Sequence, residues 1–155
     1  MIHLLTKLRS ASHNRTSYRV GLLQAKAYRI LKQKTNLVLA PYGITATDWA
    51  LLGLLSDKQT LRMSHVAEEL GVEPPFVSEM VKQLQKKHLI TLVKDTTDTR
   101  VKGMSLTPEG VLFVSTTEPV VRASMRPLIG SASMRDILGY LSVLEHIVNN
   151  DSKDN

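Results

Sequence analysis

A group of polar and aromatic side chains follows the pair Pro74-Pro75 at helical spacing. Lysine can bind phosphate or guanine, glutamine can pair with adenine through two hydrogen bonds, and serine can donate or accept one. A phenyl ring can contact the methyl group of thymine, and a glutamate can accept a hydrogen bond from the amino group of cytosine. The side chains that carry this chemistry are Phe76, Ser78, Glu79, Lys82, Gln83 and Lys86. Their pattern is typical of a helix that reads base edges in the major groove of duplex DNA.

The helix that carries these side chains is predicted to extend from Pro74 to about Lys87. Proline suits a first helical position because it has no backbone N–H to leave unpaired. Apolar residues recur at helical spacing and define an inward face, formed by Val77, Met80, Val81 and Leu84. The polar group, with Pro75 at the start of the helix, is therefore left on the outside and is predicted to contact DNA.

A shorter helix is predicted from Met63 to Leu70, immediately before the DNA-reading helix. Gly71 follows it and supplies the positive backbone angle that a tight turn requires. Ser64 or Arg62 is expected at the start of the shorter helix, Ser64 being the better N-cap, and His65 is expected to contact a phosphate there. Two helices joined by a tight turn form a helix-turn-helix, and both Ser64 and His65 belong to its predicted DNA-binding residues.

A charged hairpin follows the second helix and forms a wing. Its strands are predicted from Leu89 to Lys94 and from Val101 to Leu106. Arg100 at the polar tip is expected to enter a narrow minor groove, where the negative potential is deepest. Asp98 is placed to hold the Arg100 guanidinium, and Lys102 is expected to contact the phosphate backbone.

Helices with apolar stripes flank this segment. The first is predicted from Ser17 to Ala40 and is ended by Pro41 and Gly43. The last is predicted from about Ser133 to Asn149, and its apolar residues lie close to a heptad repeat. The apolar face of the first helix is wider than one small core needs, so a second chain could cover it.

A nearly all-apolar helix is predicted between Thr45 and about Ser56. Thr45 and Asp48 have the spacing of a capping box, in which a hydroxyl and a carboxylate three residues later satisfy the free N–H groups of a helix start. Trp49 in this helix is predicted to pack in the core rather than to bind a ligand. Residues 61–63 are predicted to add a short strand to the wing.

The remaining segments have weaker signals. Thr107 is expected to cap a further helix, and the helix is expected to be interrupted, with a kink near Glu118. The interrupting residues are Pro119, Pro127 and Gly130. Residues 1–14 are predicted to be loosely structured, and residues 149–155 are predicted to form a disordered polar tail.

Together these elements predict a mostly α fold of the α+β winged-helix type. It is a winged helix-turn-helix with N- and C-terminal dimerisation helices. Residues 45–107 form the predicted DNA-binding domain, and residues 1–44 and 108–155 form the predicted helical dimerisation region. The expected partners are double-stranded DNA and a second copy of the chain.

The net charge of +6 is unevenly placed along the 155 residues. No Asp or Glu precedes Asp48. The basic residues before it are Lys7, Arg9, Arg15, Arg19, Lys26, Arg29, Lys32 and Lys34. A basic excess attracts polyanions, although a solvated basic helix face explains the charge equally well. Lys26 and Arg29 are in addition candidates for attracting an anionic small ligand.

Several function classes are disfavoured. The absence of cysteine excludes disulfides, thiolate metal sites and cysteine redox sensing, and it fits a cytoplasmic protein. The N-terminal residues are too broken in apolar character for a signal peptide, and no apolar run approaches the roughly 20 residues of a membrane span. The histidines show no metal-ligand pairing, and there is no phosphate-cradling glycine loop. We therefore predict a protein that is not an enzyme, with no catalytic residues, no metal site and no cofactor.

The sequence resembles the MarR family of bacterial transcriptional regulators from about residue 17 to residue 148. The wing carries the most specific match, Asp98-Thr-Arg100-Val-Lys-Gly-Met-Ser-Leu106-Thr107, which follows the family pattern Asp-x-Arg, five residues, Leu-Thr. Gly43-Ile-Thr45 followed by Trp49 and Leu52 resembles the entry to the second helix of the family. Val66 to Val72 and Ser78 to Leu84 resemble its helix-turn-helix.

The resemblance implies a homodimer in which the first and last helices intertwine. It also implies two winged helices that meet successive major grooves of a pseudo-palindrome, and a pocket between the dimer helices and the DNA-binding lobe. In many relatives a small anionic aromatic compound binds this pocket and weakens DNA binding. On this basis the chain is predicted to be a transcriptional regulator, a repressor that a small ligand releases.

Some positions depart from the family pattern. The recognition helix opens with Glu73-Pro-Pro-Phe76 where relatives commonly have small polar residues, and Glu79 stands where an arginine is frequent. His88 replaces the usual glycine before the wing strand, and Leu92 replaces a frequent arginine. Glu73 and Glu79 would repel phosphates. The alternative function is therefore a winged-helix protein-interaction module that uses the Phe76 surface and has lost specific DNA binding.

Overall fold

The computed structural model describes residues 17–94 and 102–154. In chain order the elements are helix α1 (Ser17–Leu39), a 3-10 turn (Ala40–Tyr42), α2 (Ala46–Lys58), strand β1 (Leu61–Arg62), α3 (Met63–Leu70), α4 (Pro74–Lys86), β2 (Ile90–Lys94), β3 (Lys102–Leu106), α5 (Pro108–Ile129) and α6 (Met134–Asp154). The predicted mostly α fold with a small sheet is confirmed. The predictions for residues 1–14 and for the wing tip, with Asp98 and Arg100, lie outside the described residues.

The chain divides into two compact units, Met1–Ser124 and Met125–Asn155. Within residues 17–94 and 102–154, no single helix is long and apolar enough to cross a membrane. Two segments of this part of the chain, Tyr18–Tyr42 and Ala46–Lys58, are long and apolar enough only when they are counted together, and they meet at an angle of 84°. The first unit contains the helix-turn-helix and the sheet, and the second contains α6.

The sheet of the first unit has three antiparallel strands in the order β1-β3-β2. The β2–β3 ladder pairs Ile90 with Leu106 at one end and Lys94 with Lys102 at the other. Leu61 of β1 pairs with Met104 on the opposite edge of β3. The predicted hairpin and the short third strand are therefore confirmed.

The core of the first unit lies between α2, the helix-turn-helix and the sheet. Its most deeply buried side chains are Leu39, Leu51, Leu52, Leu55, Val66, Val77, Val81, Leu84 and Met104. Burial of each such side chain stabilises the fold by about 1.5–3 kcal/mol. The predicted inward face of α4 is confirmed, because all four of its apolar residues are buried.

The start of α2 is fixed by the predicted capping box. The Thr45 hydroxyl accepts a hydrogen bond from the Asp48 backbone N–H at 3.2 Å, and the Asp48 carboxylate accepts one from the Thr45 backbone N–H at 2.7 Å. Asn36 of α1 accepts a hydrogen bond from the Ala46 N–H at 2.7 Å. These bonds tie the two helices together. Trp49 is half-buried, so it contributes to packing without lying in the deep core.

The preferred N-cap of α3, Ser64, was wrong, and the other candidate, Arg62, holds that position. The helix begins at Met63, so Arg62 holds the cap position with an extended backbone, and Ser64 lies inside the first turn. The reason is tertiary, because Arg62 pairs with Gly103 in the sheet and remains extended up to the helix start. Gly71 ends α3 with a φ of 60°, as predicted.

The C-terminal helices match the predictions only in part. Neither Pro119 nor Pro127 ends helix α5, whereas Gly130, the third predicted interruption, follows its last residue with a φ of 59°. A proline removes one backbone hydrogen bond, and the bonds of the flanking turns maintain the helix. Helix α6 continues to Asp154, so most of the predicted disordered tail is helical.

Ser133 fixes the start of α6. Its backbone N–H and its hydroxyl both donate hydrogen bonds to the Asp136 carboxylate, at 3.0 and 2.6 Å. The hydrogen bond from the Ser133 hydroxyl lowers the pKa of Asp136 below its ordinary value. A carboxylate near a helix N-terminus also interacts favourably with the helix dipole.

His88 occupies the left-handed backbone region, with a φ of 57°, between α4 and β2. A side chain in this region costs roughly 1–2 kcal/mol, whereas glycine adopts it at a lower cost. We expect His88→Gly to raise the free energy of unfolding by about 0.5–1 kcal/mol. Urea unfolding followed by circular dichroism measures the change. His88→Ala is the control, because it keeps the β-carbon and should bring no gain; equal gains in both variants would refute the backbone explanation.

Candidate nucleic-acid interface

The outward face of α4 carries the side chains predicted from the sequence. Phe76 is 51% exposed, which is a large exposure for a phenyl ring with a core directly behind it. The other exposed members are Glu79, Lys82, Gln83 and Lys86, and Pro75 is exposed at the helix start. The face therefore combines an apolar ring, an amide, two ammonium groups and one carboxylate along a single helix.

Ser78 differs from the other members of this face because its hydroxyl has local partners. It donates to the Pro74 carbonyl oxygen at 3.3 Å and lies 3.8 Å from the Met63 sulfur. The hydroxyl is half-buried between α4 and α3. Ser78 therefore connects the two helices as well as lying near the outward face.

Glu79 and Lys82 are loosely paired. The Glu79 Oε2 and the Lys82 Nζ are 3.9 Å apart, and the two side chains are 58% and 68% exposed. An exposed pair at this separation contributes at most about 1 kcal/mol, so either group can exchange its partner for one on a ligand. Both groups are therefore available to a molecule that binds this face.

His65 lies in a charged cluster at the start of α3. Its Nε2 is 3.2 Å from the Glu69 Oε1, and the Lys58 Nζ is 2.7 Å from the same oxygen. The hydrogen bond from Lys58 holds the pKa of Glu69 below its ordinary value. This carboxylate beside His65 disfavours an approaching phosphate, so the predicted phosphate contact would require His65 to leave Glu69. Ser64, the neighbouring candidate, is exposed.

The base of the wing is firmly held. The Thr107 hydroxyl donates to the His88 carbonyl oxygen at 2.6 Å and accepts from the Gly110 N–H at 2.9 Å. The Thr107 N–H donates to the Leu89 carbonyl oxygen at 3.1 Å. These bonds join the end of the hairpin to the start of α5. Lys102, the predicted phosphate contact, lies opposite Lys94 in the ladder.

A groove of about 260 Å³ lies between α1, α2 and the end of α3. It is lined by Tyr28, Leu31, Lys32, Thr35, Ala46, Thr47, Trp49, Ala50 and Leu70. Its size approaches the lower end of the range for small-molecule sites, about 300 Å³, and its lining mixes aromatic, aliphatic and polar groups. Neither Lys26 nor Arg29 is among the lining residues.

The cation that lines the groove is Lys32, which sequence reasoning missed. The Lys32 Nζ lies 5.6 Å from the centre of the Tyr28 ring, within cation–π distance. The four-residue spacing of Tyr28 and Lys32 was the available signal, because it places both side chains on one side of a helix. Choosing between Lys26, Arg29 and Lys32 required knowing which side of α1 faces α2.

A chain of contacts runs from the groove to the end of α4. The Trp49 and Phe113 rings meet edge to face at a centroid distance of 6.3 Å, and Phe113 meets Tyr42 in the same way at 5.2 Å. The Tyr42 carbonyl oxygen accepts a hydrogen bond from the Lys87 Nζ at 3.1 Å. Residues that line the groove are thus in contact, through two aromatic rings, with the end of the candidate DNA-reading helix.

Two helices expose rows of large apolar side chains. In α1 these are Val20, Leu22, Leu23, Ile30 and Leu37. In α6 they are Met134, Leu138, Leu141, Val143, Ile147 and Val148. Large apolar side chains exposed in such number on one helix are typical of a protein–protein interface.

Residues 42–101 match the model of the MarR family. The repressor MdtR of Bacillus subtilis is 37% identical over 68 residues, which is 44% of each chain, so the alignment spans less than half of that relative. Among solved structures, a MarR-family transcriptional regulator from Silicibacter pomeroyi superposes with a TM-score of 0.80 at 21% identity, covering 86% of this chain and 90% of that one. The MepR–DNA complex of S. aureus superposes with a TM-score of 0.69 at 24% identity, covering 84% and 96%. The two structural similarities show that the fold is shared.

Proposed function

Because this chain belongs to the MarR family of winged-helix transcriptional regulators, we propose that it binds pseudo-palindromic duplex DNA as a homodimer. In this proposal it acts in the cytoplasm as a repressor, and a small, anionic aromatic ligand releases it from DNA. The outward face of α4 is the observation that carries the proposal, since it presents base-reading and phosphate-binding groups on an exposed helix. MepR, a protein of the same fold, has been solved as a DNA complex.

The homodimer is supported by the exposed apolar rows of α1 and α6, which a second copy would cover. Two copies related by a two-fold axis would present two α4 helices to successive major grooves. The repressor assignment is supported by the name of MdtR, which is a transcriptional repressor. The ligand is supported by the groove beside Trp49, where Lys32 supplies a cation to pair with an anion.

The salt dependence of binding tests the proposal. We expect affinity for mixed-sequence duplex DNA to fall at least about 100-fold between about 50 and 200 mM salt, because phosphate contacts release counterions. Fluorescence anisotropy of a labelled duplex measures this change. A protein-interaction module built on the exposed Phe76 ring predicts no DNA binding at any of these salt concentrations. That result from the folded protein would favour the alternative function.

The division of roles between α4 and the wing gives a second test. We expect Lys82→Ala and Gln83→Ala to change the bases preferred in selections from random duplexes, because in this proposal both side chains face the major groove of the DNA. Lys102→Ala should instead lower affinity by a similar factor on every sequence, because a phosphate contact carries no sequence information. The readout is the enriched motif and the affinity of each variant for matched and mismatched duplexes. Equal selectivity in all three variants would contradict this division.

Trp49 reports on the groove because it is the only tryptophan of the chain. We expect salicylate, used as an anionic aromatic probe, to change the Trp49 fluorescence and to bind roughly tenfold more weakly to Lys32→Ala, because a charged hydrogen bond contributes about 1.5–3 kcal/mol. Arg29→Ala and Lys26→Ala are matched controls that remove a cation from the same helix outside the lining. If Arg29→Ala lost affinity for salicylate and Lys32→Ala did not, the anion would bind at the cations predicted from the sequence and not at Lys32.

A further inference from the structure

Two residues of α4 differ in kind from the lysines and glutamine beside them. Phe76 is the only aromatic residue of the helix and Glu79 is its only acidic residue. The Phe76 N–H donates to the Glu73 carbonyl oxygen at 3.0 Å, which places Phe76 in the first helical turn. Glu79 follows one turn later on the same outward face. Neither side chain is needed by the core, because the inward positions that follow each of them are held by Val77 and Met80.

The chemistry of Glu79 restricts what it can bind in a DNA groove. An ionised carboxylate only accepts hydrogen bonds, so it repels phosphates and also the acceptor edges of guanine and thymine. The donors in the major groove are the amino groups of cytosine and adenine, and the cytosine edge carries no adjacent acceptor equivalent to adenine N7. Lys82 lies at 3.9 Å and can neutralise Glu79 in the free protein, then turn to a neighbouring phosphate.

The chemistry of Phe76 also restricts which base it can contact. A phenyl ring makes no hydrogen bonds, and its available partner in the major groove is the thymine methyl group. An exposed ring at the start of a helix is well placed for this contact, because the first turn of a recognition helix reaches the base edges. The rise of about 4.5 Å over three helical residues is close to the 3.4 Å spacing of base pairs. Phe76 and Glu79 therefore fit neighbouring base pairs.

We propose that Phe76 and Glu79 determine the operator specificity of this protein. Phe76 contacts the methyl group of a T·A pair, and Glu79 accepts a hydrogen bond from the cytosine amino group of the adjoining C·G pair. This inference rests on the proposed DNA-binding function and adds to it the bases that each half-site must contain. Glu79 also acts by exclusion, since guanine or thymine in the cytosine position would place acceptor against acceptor.

The test is a set of parallel selections from random duplex DNA. The proteins are the wild type, Phe76→Ala, Glu79→Gln and Glu73→Gln, each first checked for folding by circular dichroism. Glu73→Gln is the matched control, because it makes the same chemical change at the N-cap position of the same helix. We expect the wild type to enrich T beside C in each half-site. Glu79→Gln should lose the C preference, Phe76→Ala should lose the T preference, and Glu73→Gln should keep both.

Altered bases in the selected operator test the two contacts atom by atom. Replacing the thymine by uracil removes only the methyl group, and we expect it to weaken the wild type roughly fivefold and Phe76→Ala not at all. Replacing the cytosine by an analogue without the amino group should weaken the wild type roughly tenfold and Glu79→Gln much less. Equal losses in the wild type and the variant would overturn the assignment of that contact.

The outcomes separate this inference from the proposed function. If the wild type enriches a palindrome and Phe76→Ala and Glu79→Gln enrich the same one, the protein is a DNA-binding regulator and the specificity assignment is wrong. If Glu73→Gln loses the C preference as Glu79→Gln does, general charge rather than base contact explains it, and the assignment also fails. If the folded wild type enriches no sequence, the proposed function fails, and this inference fails with it.

Discussion

Gly110→Ala is expected to lower the free energy of unfolding by about 3 kcal/mol, at the upper end of the usual cost of overpacking a core. Gly110 is buried at the start of α5. A β-carbon there would overlap the Leu89 carbonyl oxygen and lie 3.0 Å from the carbonyl carbon. The Leu89 carbonyl cannot easily retreat, because it accepts the Thr107 N–H at 3.1 Å and lies directly before β2.

Urea unfolding of the two proteins measures the loss, and the unfolding temperature should fall by about 6–12 °C. Gly53→Ala is the control, because Gly53 lies in the interior of α2 and a β-carbon there meets no atom within 4 Å. That substitution should stabilise by about 0.5–1 kcal/mol, since alanine suits a helix interior better than glycine. A Gly110→Ala variant as stable as the wild type would mean that the junction between the hairpin and α5 can open, contrary to the geometry.

In the proposed homodimer, Leu141→Asp is expected to raise the dissociation constant at least about 100-fold. Leu141 belongs to the exposed apolar row of α6, and transferring a leucine from water contributes about 1.5–3 kcal/mol. A two-fold symmetric interface contains the substitution twice, and a buried carboxylate adds its own desolvation cost. A monomer would hold only one α4 helix, so affinity for a pseudo-palindromic site should fall with the loss of the dimer.

Analytical ultracentrifugation measures the association, and circular dichroism confirms that the helices are retained. Ser142→Asp is the matched control, because it introduces the same charge at the adjacent residue, about 100° around the helix. Ser142 lies on the polar side of α6, and its substitution should leave the dimer intact. A dimer that persists in Leu141→Asp would exclude the α6 row from the interface.

Much of the fold was predictable from local signals. The capping box of Thr45 and Asp48, the inward face of α4 and the positive φ of Gly71 each depend on residues within a few positions of one another. Periodicity and capping chemistry act at this range, so the sequence reports them directly. The exposed polar face of α4 followed from the same periodicity.

Other features of the structure were not readable from local signals. Ser64 was the better cap by residue type, but the pairing of Arg62 with Gly103 places the N-cap two residues earlier, at Arg62. Helix α5 continues through both prolines and ends only before Gly130, so proline alone did not mark its end. The groove lining likewise depends on how α1 rotates against α2, which Asn36 and its bond to the Ala46 N–H help to fix. The sequence around Lys26 and Arg29 does not indicate which side of α1 faces α2.

The most direct test of dimeric DNA recognition is a selection from random duplex DNA with the wild type and Arg100→Ala side by side. We predict that the wild type enriches an inverted repeat with half-sites about 10 base pairs apart, and that Arg100→Ala, still a folded dimer, enriches it weakly or not at all. Unchanged enrichment in Arg100→Ala would contradict the role of the wing. Absence of any enriched sequence with the folded wild type would contradict sequence-specific DNA recognition itself.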